Sequence, residues 1–228
     1  LAFAVTDKFK KRFISALLLA PLILLAIMVG GWAFAVMVGI AYILSVYEWV
    51  MMAKRLQNKI NHMAFAVFYL TICFGAFCGL RLYFEHGGWL AIGVIMSVWA
   101  SDTGAYIVGK KFGRRRMAPK LSPNKTWEGL FGAMSFSGAM LMIIAALYSA
   151  QFDEQVFTLT AYVTMFFGGC ILGVVGQGGD LLVSYYKRRV GVKDTGSLIP
   201  GHGGILDRID ALLLVSPVFF IGVFICQM

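Results

Sequence analysis

Leu17-Leu18-Leu19-Ala20-Pro21-Leu22-Ile23-Leu24-Leu25-Ala26-Ile27-Met28-Val29, then Gly30-Gly31, then Trp32-Ala33-Phe34-Ala35-Val36-Met37-Val38-Gly39-Ile40 is apolar from end to end. A helix needs ~20 such residues to cross the hydrocarbon core of a bilayer. The two runs extend to about 13–29 and 32–52, near that length, and with only a glycine pair between them they predict a tight helical hairpin inside a membrane. Read outward from there, the chain gives seven spans, at about 13–29, 32–52, 63–84, 87–108, 129–150, 156–176 and 205–226. Composition agrees: 60% of the 228 residues are hydrophobic and 14% are charged, against about 25% charged in a soluble domain. Mean hydropathy is +0.80. The expected fold is an all-α, polytopic transmembrane helix bundle forming a single membrane domain over 1–228. Within it, 1–86 holds the N-terminal helices, 87–150 a first polar motif and 151–228 a second.

Lys8, Lys10, Lys11 and Arg12 precede the first run, as they would in a signal peptide. The run is long, another follows at once, and no small-residue cleavage site is evident, so it reads as a retained helix. The remaining charges set the topology, because cytoplasmic loops hold an excess of Lys and Arg. With the N-terminus inside, every lysine and arginine except Arg81 falls on the cytoplasmic side, while Glu85, Asp153 and Glu154 fall outside. The net charge of +9 is therefore concentrated on one face, where anionic headgroups lie. Cys73, Cys78, Cys170 and Cys226 sit in spans without metal-ligand spacing and read as small packing residues.

Charge inside a membrane segment is costly and marks function. Asp102 lies toward the cytoplasmic half of the fourth span, between Ser101 and Thr103. Beyond it run Gly109-Lys110-Lys111-Phe112-Gly113-Arg114-Arg115-Arg116 and Pro119-Lys120-Leu121-Ser122-Pro123-Asn124-Lys125-Thr126-Trp127-Glu128-Gly129. Ser122-Pro123 ahead of Lys125-Thr126 resembles a turn feeding a helix N-terminus, where free N–H groups and the positive dipole end suit phosphate. Lys125 and Thr126 would add a cation and a hydroxyl.

The second polar block starts at Gly176-Gln177-Gly178-Gly179-Asp180 and passes Ser184 and Lys187-Arg188. It continues through Lys193-Asp194-Thr195-Gly196 to His202-Gly203-Gly204-Ile205-Leu206-Asp207-Arg208-Ile209-Asp210. Asp180 is expected to open a helix after a glycine turn. Asp207 and Asp210, three apart, share one helix face. Such carboxylates suit Mg²⁺, commonly held by one or two carboxylates plus substrate phosphates. His202, between glycines, reads equally as a substrate contact or a polar turn residue. Phosphate-binding bases beside metal-binding carboxylates are what phosphoryl or nucleotidyl transfer needs, since the protein's work there is to position anions and neutralise charge.

These residues carry a resemblance to the phosphatidate cytidylyltransferase (CDP-diacylglycerol synthase) family. The elements are Ser184, Lys187-Arg188, Lys193-Asp194, Gly196, His202-Gly203-Gly204, Asp207-Arg208 and Asp210, in register throughout, with Ser101-Asp102-Thr103-Gly104-Ala105-Tyr106 and Ser122 to Gly129 beside them. The departures are Tyr186 for an aliphatic residue, Val183 for Glu and Gly176 for Ser; longer members carry a further N-terminal helix or two. The resemblance implies transfer of a cytidylyl group from CTP to phosphatidic acid, giving CDP-diacylglycerol and pyrophosphate for phospholipid synthesis. It implies Mg²⁺ on Asp180, Asp207 and Asp210, with K⁺ as a second cation. Those three acids with Lys193 and Asp194 would be catalytic. Asp102, Ser122, Lys125, Thr126, Ser184, Lys187, Arg188, His202 and Arg208 would bind substrate. The implied setting is a bacterial inner membrane, with membrane lipids as partners, no nucleic acid, a homodimer and a cytoplasmic active site. A CTP-dependent lipid kinase or a cytidylyltransferase for another lipid phosphate is the alternative, and an ion-coupled transporter built on Asp102 a remote one.

Overall fold

A computed structural model describes residues 19–152, 158–196, 198 and 203–226. The described elements are α1 (Leu19–Val29), α2 (Gly31–Ala53), α3 (Lys59–Leu82), α4 (Gly87–Phe112), β1 (Arg116–Ala118), β2 (Ser122–Thr126), α5 (Trp127–Phe152), α6 (Leu159–Arg189) and α7 (Leu206–Cys226). Six of them, α2 to α7, are long and apolar enough to cross a bilayer, so the chain is a multi-pass helix bundle. Residues 13–18 of the first expected span, and Lys8–Arg12, lie outside the described residues.

Each turn has a local cause. Gly30 and Gly31 adopt φ of 70° and 51°, a left-handed region glycine enters without penalty. A side chain at Gly30 would strike Arg81. The Arg81 guanidinium, on α3, donates from Nε to the Ile27 carbonyl at 2.7 Å, satisfying one of the acceptors that the end of α1 leaves open. The one basic residue assigned to the far membrane face is thus a helix C-cap.

Successive helices pack side by side, and α7 returns through the middle to touch α2, α3, α4 and α6. In lipid there is little hydrophobic force between helices, and small residues let backbones approach. A Cβ on Gly104 of α4 would lie 2.5 Å from the Gly132 carbonyl of α5, and one on Gly132 equally close to the Gly104 carbonyl. Gly138 and Gly169 make the corresponding crossing of α5 and α6. The antiparallel order gathers the C-terminal ends of α2, α4 and α6 with the N-terminal ends of α3, α5 and α7. Beneath that end sits a core of Trp49, Met52, Leu70, Val183, Tyr186 and Leu206.

Two expectations need correction. Residues 122–126 are strand β2, paired antiparallel with β1 across a Pro119-Lys120 turn (Leu121 N–H to Ala118 O, 3.1 Å), and not a simple turn. Asp180 does not open a helix: α6 runs unbroken from Leu159 to Arg189. Its glycines are helical because they are where α6 meets α7; a Cβ on Gly179 would lie 2.6 Å from the Asp210 carbonyl. A sequence window reads three glycines as a break, whereas the helix uses one of them as a contact surface. The four cysteines are free thiols.

Candidate active site

The β-hairpin between α4 and α5 is tied to the bundle at its base. Glu128, in the first turn of α5, accepts from the Arg114 and Arg115 backbone N–H groups at 3.1 and 3.3 Å. Thr126 Oγ1 accepts from Gly129 N–H at 3.0 Å, which makes Thr126 the N-cap of α5. The residue is 5% exposed. Its oxygen is therefore engaged in holding the helix, where a substrate hydroxyl contact was expected.

One residue earlier, Lys125 projects into the bundle. Its ammonium lies 2.7 Å from Asp180 Oδ2 and donates to the Gln177 carbonyl at 3.2 Å. Ser184, one turn along α6, donates to Asp180 Oδ1 at 3.2 Å. Arg188, a further turn on, donates from Nε to the Leu121 carbonyl and from Nη1 to the Val192 carbonyl. It thereby clamps the hairpin tip to the end of α6. These i, i+4 steps place Asp180, Ser184 and Arg188 in one row facing the hairpin.

Asp207 opens α7, and its carboxylate is densely supplied. Oδ1 meets Lys187 Nζ at 2.6 Å. Oδ2 accepts from Thr195 N–H at 2.8 Å and Gly204 N–H at 3.1 Å, with Thr195 Oγ1 at 3.0 Å. The Asp207 and Lys187 side chains are 7% and 11% exposed. A buried ion pair is tolerated only with such additional hydrogen bonds. Asp210, one turn further, is half-buried and accepts from Ala211 N–H. The close approach at Gly179 sets it beside Asp180, and Asp180, Asp102 and Lys187 all act electrostatically on its carboxylate. Asp102 is exposed on α4, within the fields of Asp180, Lys125 and Arg208.

The structure thus brings together Asp102, Lys125, Asp180, Ser184, Lys187, Asp207 and Asp210 at one end of the bundle. Lys193 and Asp194 are exposed on the connection from α6 to α7, Arg208 is exposed on α7, and Ser122 is half-buried at the start of β2. His202 lies outside the described residues. Sequence reasoning missed Glu48, Thr195 and the Gln177 carbonyl. Glu48 is the acid inside an otherwise apolar span, and that cost was its signal.

Chemically, two carboxylates here each hold an ammonium at 2.6–2.7 Å. That is an arrangement of hard oxygen donors on cations, with the cations themselves suited to phosphate. Among the described residues no three His, Cys, Asp or Glu side chains form a ready metal cluster. A divalent cation here would take one or two carboxylates and complete its shell on substrate phosphates, the usual habit of Mg²⁺.

The model of the cytidylyltransferase family matches residues 10–81 and 57–226. A phosphatidate cytidylyltransferase of Rickettsia prowazekii is 32% identical over 210 residues, 92% of this chain and 89% of that protein. One from Haemophilus influenzae is 36% identical over 202 residues, 84% of this chain and 65% of that protein. One from Bacillus subtilis is 37% identical over 164 residues, 72% of this chain and 58% of that protein.

Proposed function

The chain belongs to the cytidylyltransferase family, and from that premise we propose that it transfers the cytidylyl group of CTP to phosphatidic acid, releasing pyrophosphate and forming CDP-diacylglycerol for phospholipid synthesis. The observation that carries this reading is the pairing of Lys125 with Asp180 and Lys187 with Asp207 at one end of a membrane bundle. Substrates bearing several phosphates let such pairs exchange partners, the lysines turning to phosphate and the carboxylates to metal. The site lies where a soluble nucleotide and a lipid headgroup can meet.

Asp180 and Asp207 would hold Mg²⁺, with Asp210 close by and substrate phosphates completing the shell. Bound there, it supplies charge neutralisation for the pyrophosphate leaving group. No separate donor set for K⁺ stands out among the described residues. Lys125 and Lys187 orient the phosphates of the two substrates, with Arg188, Lys193 and Arg208 at the rim and Ser184 steadying Asp180. A phosphate oxygen of phosphatidic acid forms the new bond to the α-phosphorus of CTP as the bond to the β-phosphate oxygen breaks. The attacking phosphate is already ionised, so no general base is required. Asp102 adds negative charge beside Asp180 and steers the cations. The concentration of basic residues at this end supports a cytoplasmic active site in a bacterial inner membrane.

Purified protein in detergent, given CTP, phosphatidic acid and Mg²⁺, is expected to yield CDP-diacylglycerol and pyrophosphate in equal amounts. EDTA or Asp180→Asn abolishes both. A fully active Asp180→Asn enzyme would remove this site from the reaction.

A further inference from the structure

Glu48 sits in the last turns of α2 and is 2% exposed. A carboxylate buried that deeply is costly unless hydrogen-bonded. Among the described residues its hydrogen-bond partners come from the connection between α6 and α7 and from the start of α7. Oε1 accepts from Ile205 N–H at 2.9 Å, and Oε2 accepts from Leu206 N–H at 3.0 Å. Thr195 Oγ1 lies 2.7 Å from Oε2. The two N–H groups belong to the opening of α7, which has no earlier turn to satisfy them. Glu48 is therefore a helix cap delivered from a different helix, placed at the positive end of the α7 dipole.

The space around it is cut to fit. A Cβ on Gly196 would lie 2.7 Å from Glu48 Oε1, and one on Gly204 would strike both Glu48 Oε2 and Thr195 Oγ1. Thr195 then links Glu48 to the site. The same hydroxyl stands 3.0 Å from Asp207 Oδ2, and the Thr195 N–H reaches that oxygen at 2.8 Å. One hydroxyl proton is shared between two carboxylates, so the position of one carboxylate constrains the other.

We propose that Glu48 is a positioning residue for the transfer reaction: through Thr195 and the N-terminus of α7 it fixes the direction in which Asp207 presents its carboxylate. It touches no substrate atom. The inference rests on the reading that Asp207 serves the metal and phosphates. Groups that orient a metal's ligands typically govern 10–100-fold in metal affinity.

Glu48→Gln, Thr195→Val and the double variant are to be compared with the wild type by two readouts: the Mg²⁺ concentration giving half-maximal activity with CTP, and the rise in thermal midpoint caused by Mg²⁺ with CTP. Glu48→Gln is expected to raise the half-maximal Mg²⁺ concentration roughly tenfold and to shrink the thermal response. Thr195→Val is expected to do the same. The double variant is shifted no further than either single one, because the two act through one chain of contacts. Thr195→Ser, which keeps the hydroxyl, returns the midpoint toward the wild-type value. A Glu48→Gln or Thr195→Val protein that loses only folded yield, with the Mg²⁺ midpoint unmoved, overturns the inference. Should Glu48→Gln fail to fold, Thr195→Val decides alone by the same criterion. A wild-type enzyme with no Mg²⁺ dependence overturns the metal reading together with the inference, and is distinguished from the first case by the wild-type curve itself.

Discussion

Gly178 and Gly179 are neighbours on α6, and substituting each by alanine separates packing from chemistry. A Cβ on Gly179 would lie 2.6 Å from the Asp210 carbonyl and 3.2 Å from the Ala211 Cα, both backbone atoms that cannot rotate away. Cβ contacts below 3.0 Å are essentially never found, so α6 and α7 must part by at least about 0.4 Å. One on Gly178 would meet only Leu214 Cδ2 at 3.7 Å, an ordinary contact. Overpacking costs ~1–3 kcal/mol, and alanine regains ~1 kcal/mol of helix propensity. Gly179→Ala should therefore lose at most ~2 kcal/mol, while Gly178→Ala is neutral or slightly stabilised. The larger effect is on turnover, because the parting falls between Asp180 and Asp210. If 1 Å of misplacement costs about 10²-fold, 0.4 Å or more costs roughly sixfold or more. Initial rates of CDP-diacylglycerol formation per folded molecule, with folding checked by thermal unfolding, give the comparison. Gly179→Ala turning over as fast as Gly178→Ala would refute the claim that the α6–α7 contact sets the site.

Further substitutions test three individual contacts. Asp207→Asn leaves Lys187 buried without its carboxylate, which should cost ~3–5 kcal/mol and nearly all activity; adding Lys187→Met is expected to recover thermal stability without activity. Thr126→Ala removes the α5 cap and should cost ~1 kcal/mol with the KM for CTP within about twofold of wild type; a large rise in KM would return Thr126 to the substrate site. Arg81→Met frees the Ile27 carbonyl at the far end of the bundle, and should lower the thermal midpoint by the equivalent of ~1.5–3 kcal/mol while leaving the rate per folded molecule unchanged.

Six of the seven expected spans, α2 to α7, were legible because the bilayer imposes a length on apolar runs, and Gly30-Gly31 announced the first turn. What lay between spans was less legible. The stretch 116–126 carries no alternating apolar pattern, and its hairpin is held by contacts remote in sequence: Arg188 to the Leu121 carbonyl, Lys125 to Asp180 and Glu128 to the Arg114 and Arg115 backbone. Gly176 to Gly179 read as a break because a window cannot see α7 packed along them, its backbone pressed against Gly179. Within the second polar block, motif spacing brought out Ser184, Lys187, Asp207 and Asp210 without revealing that Lys187 and Asp207 are partners. Glu48 escaped for a plainer reason: it belongs to a hydrophobic run 147 residues away from Thr195, and only the fold joins them.

The central claim is that this group of carboxylates and lysines serves nucleotidyl transfer to a lipid phosphate. Its most direct test is to supply phosphatidic acid and Mg²⁺ with CTP labelled either at the α- or at the γ-phosphate, and to count label in the lipid phase. The account predicts label in the lipid from α-labelled CTP alone, with the γ-label leaving in pyrophosphate. Label in the lipid from γ-labelled CTP would mean a kinase, and would contradict it.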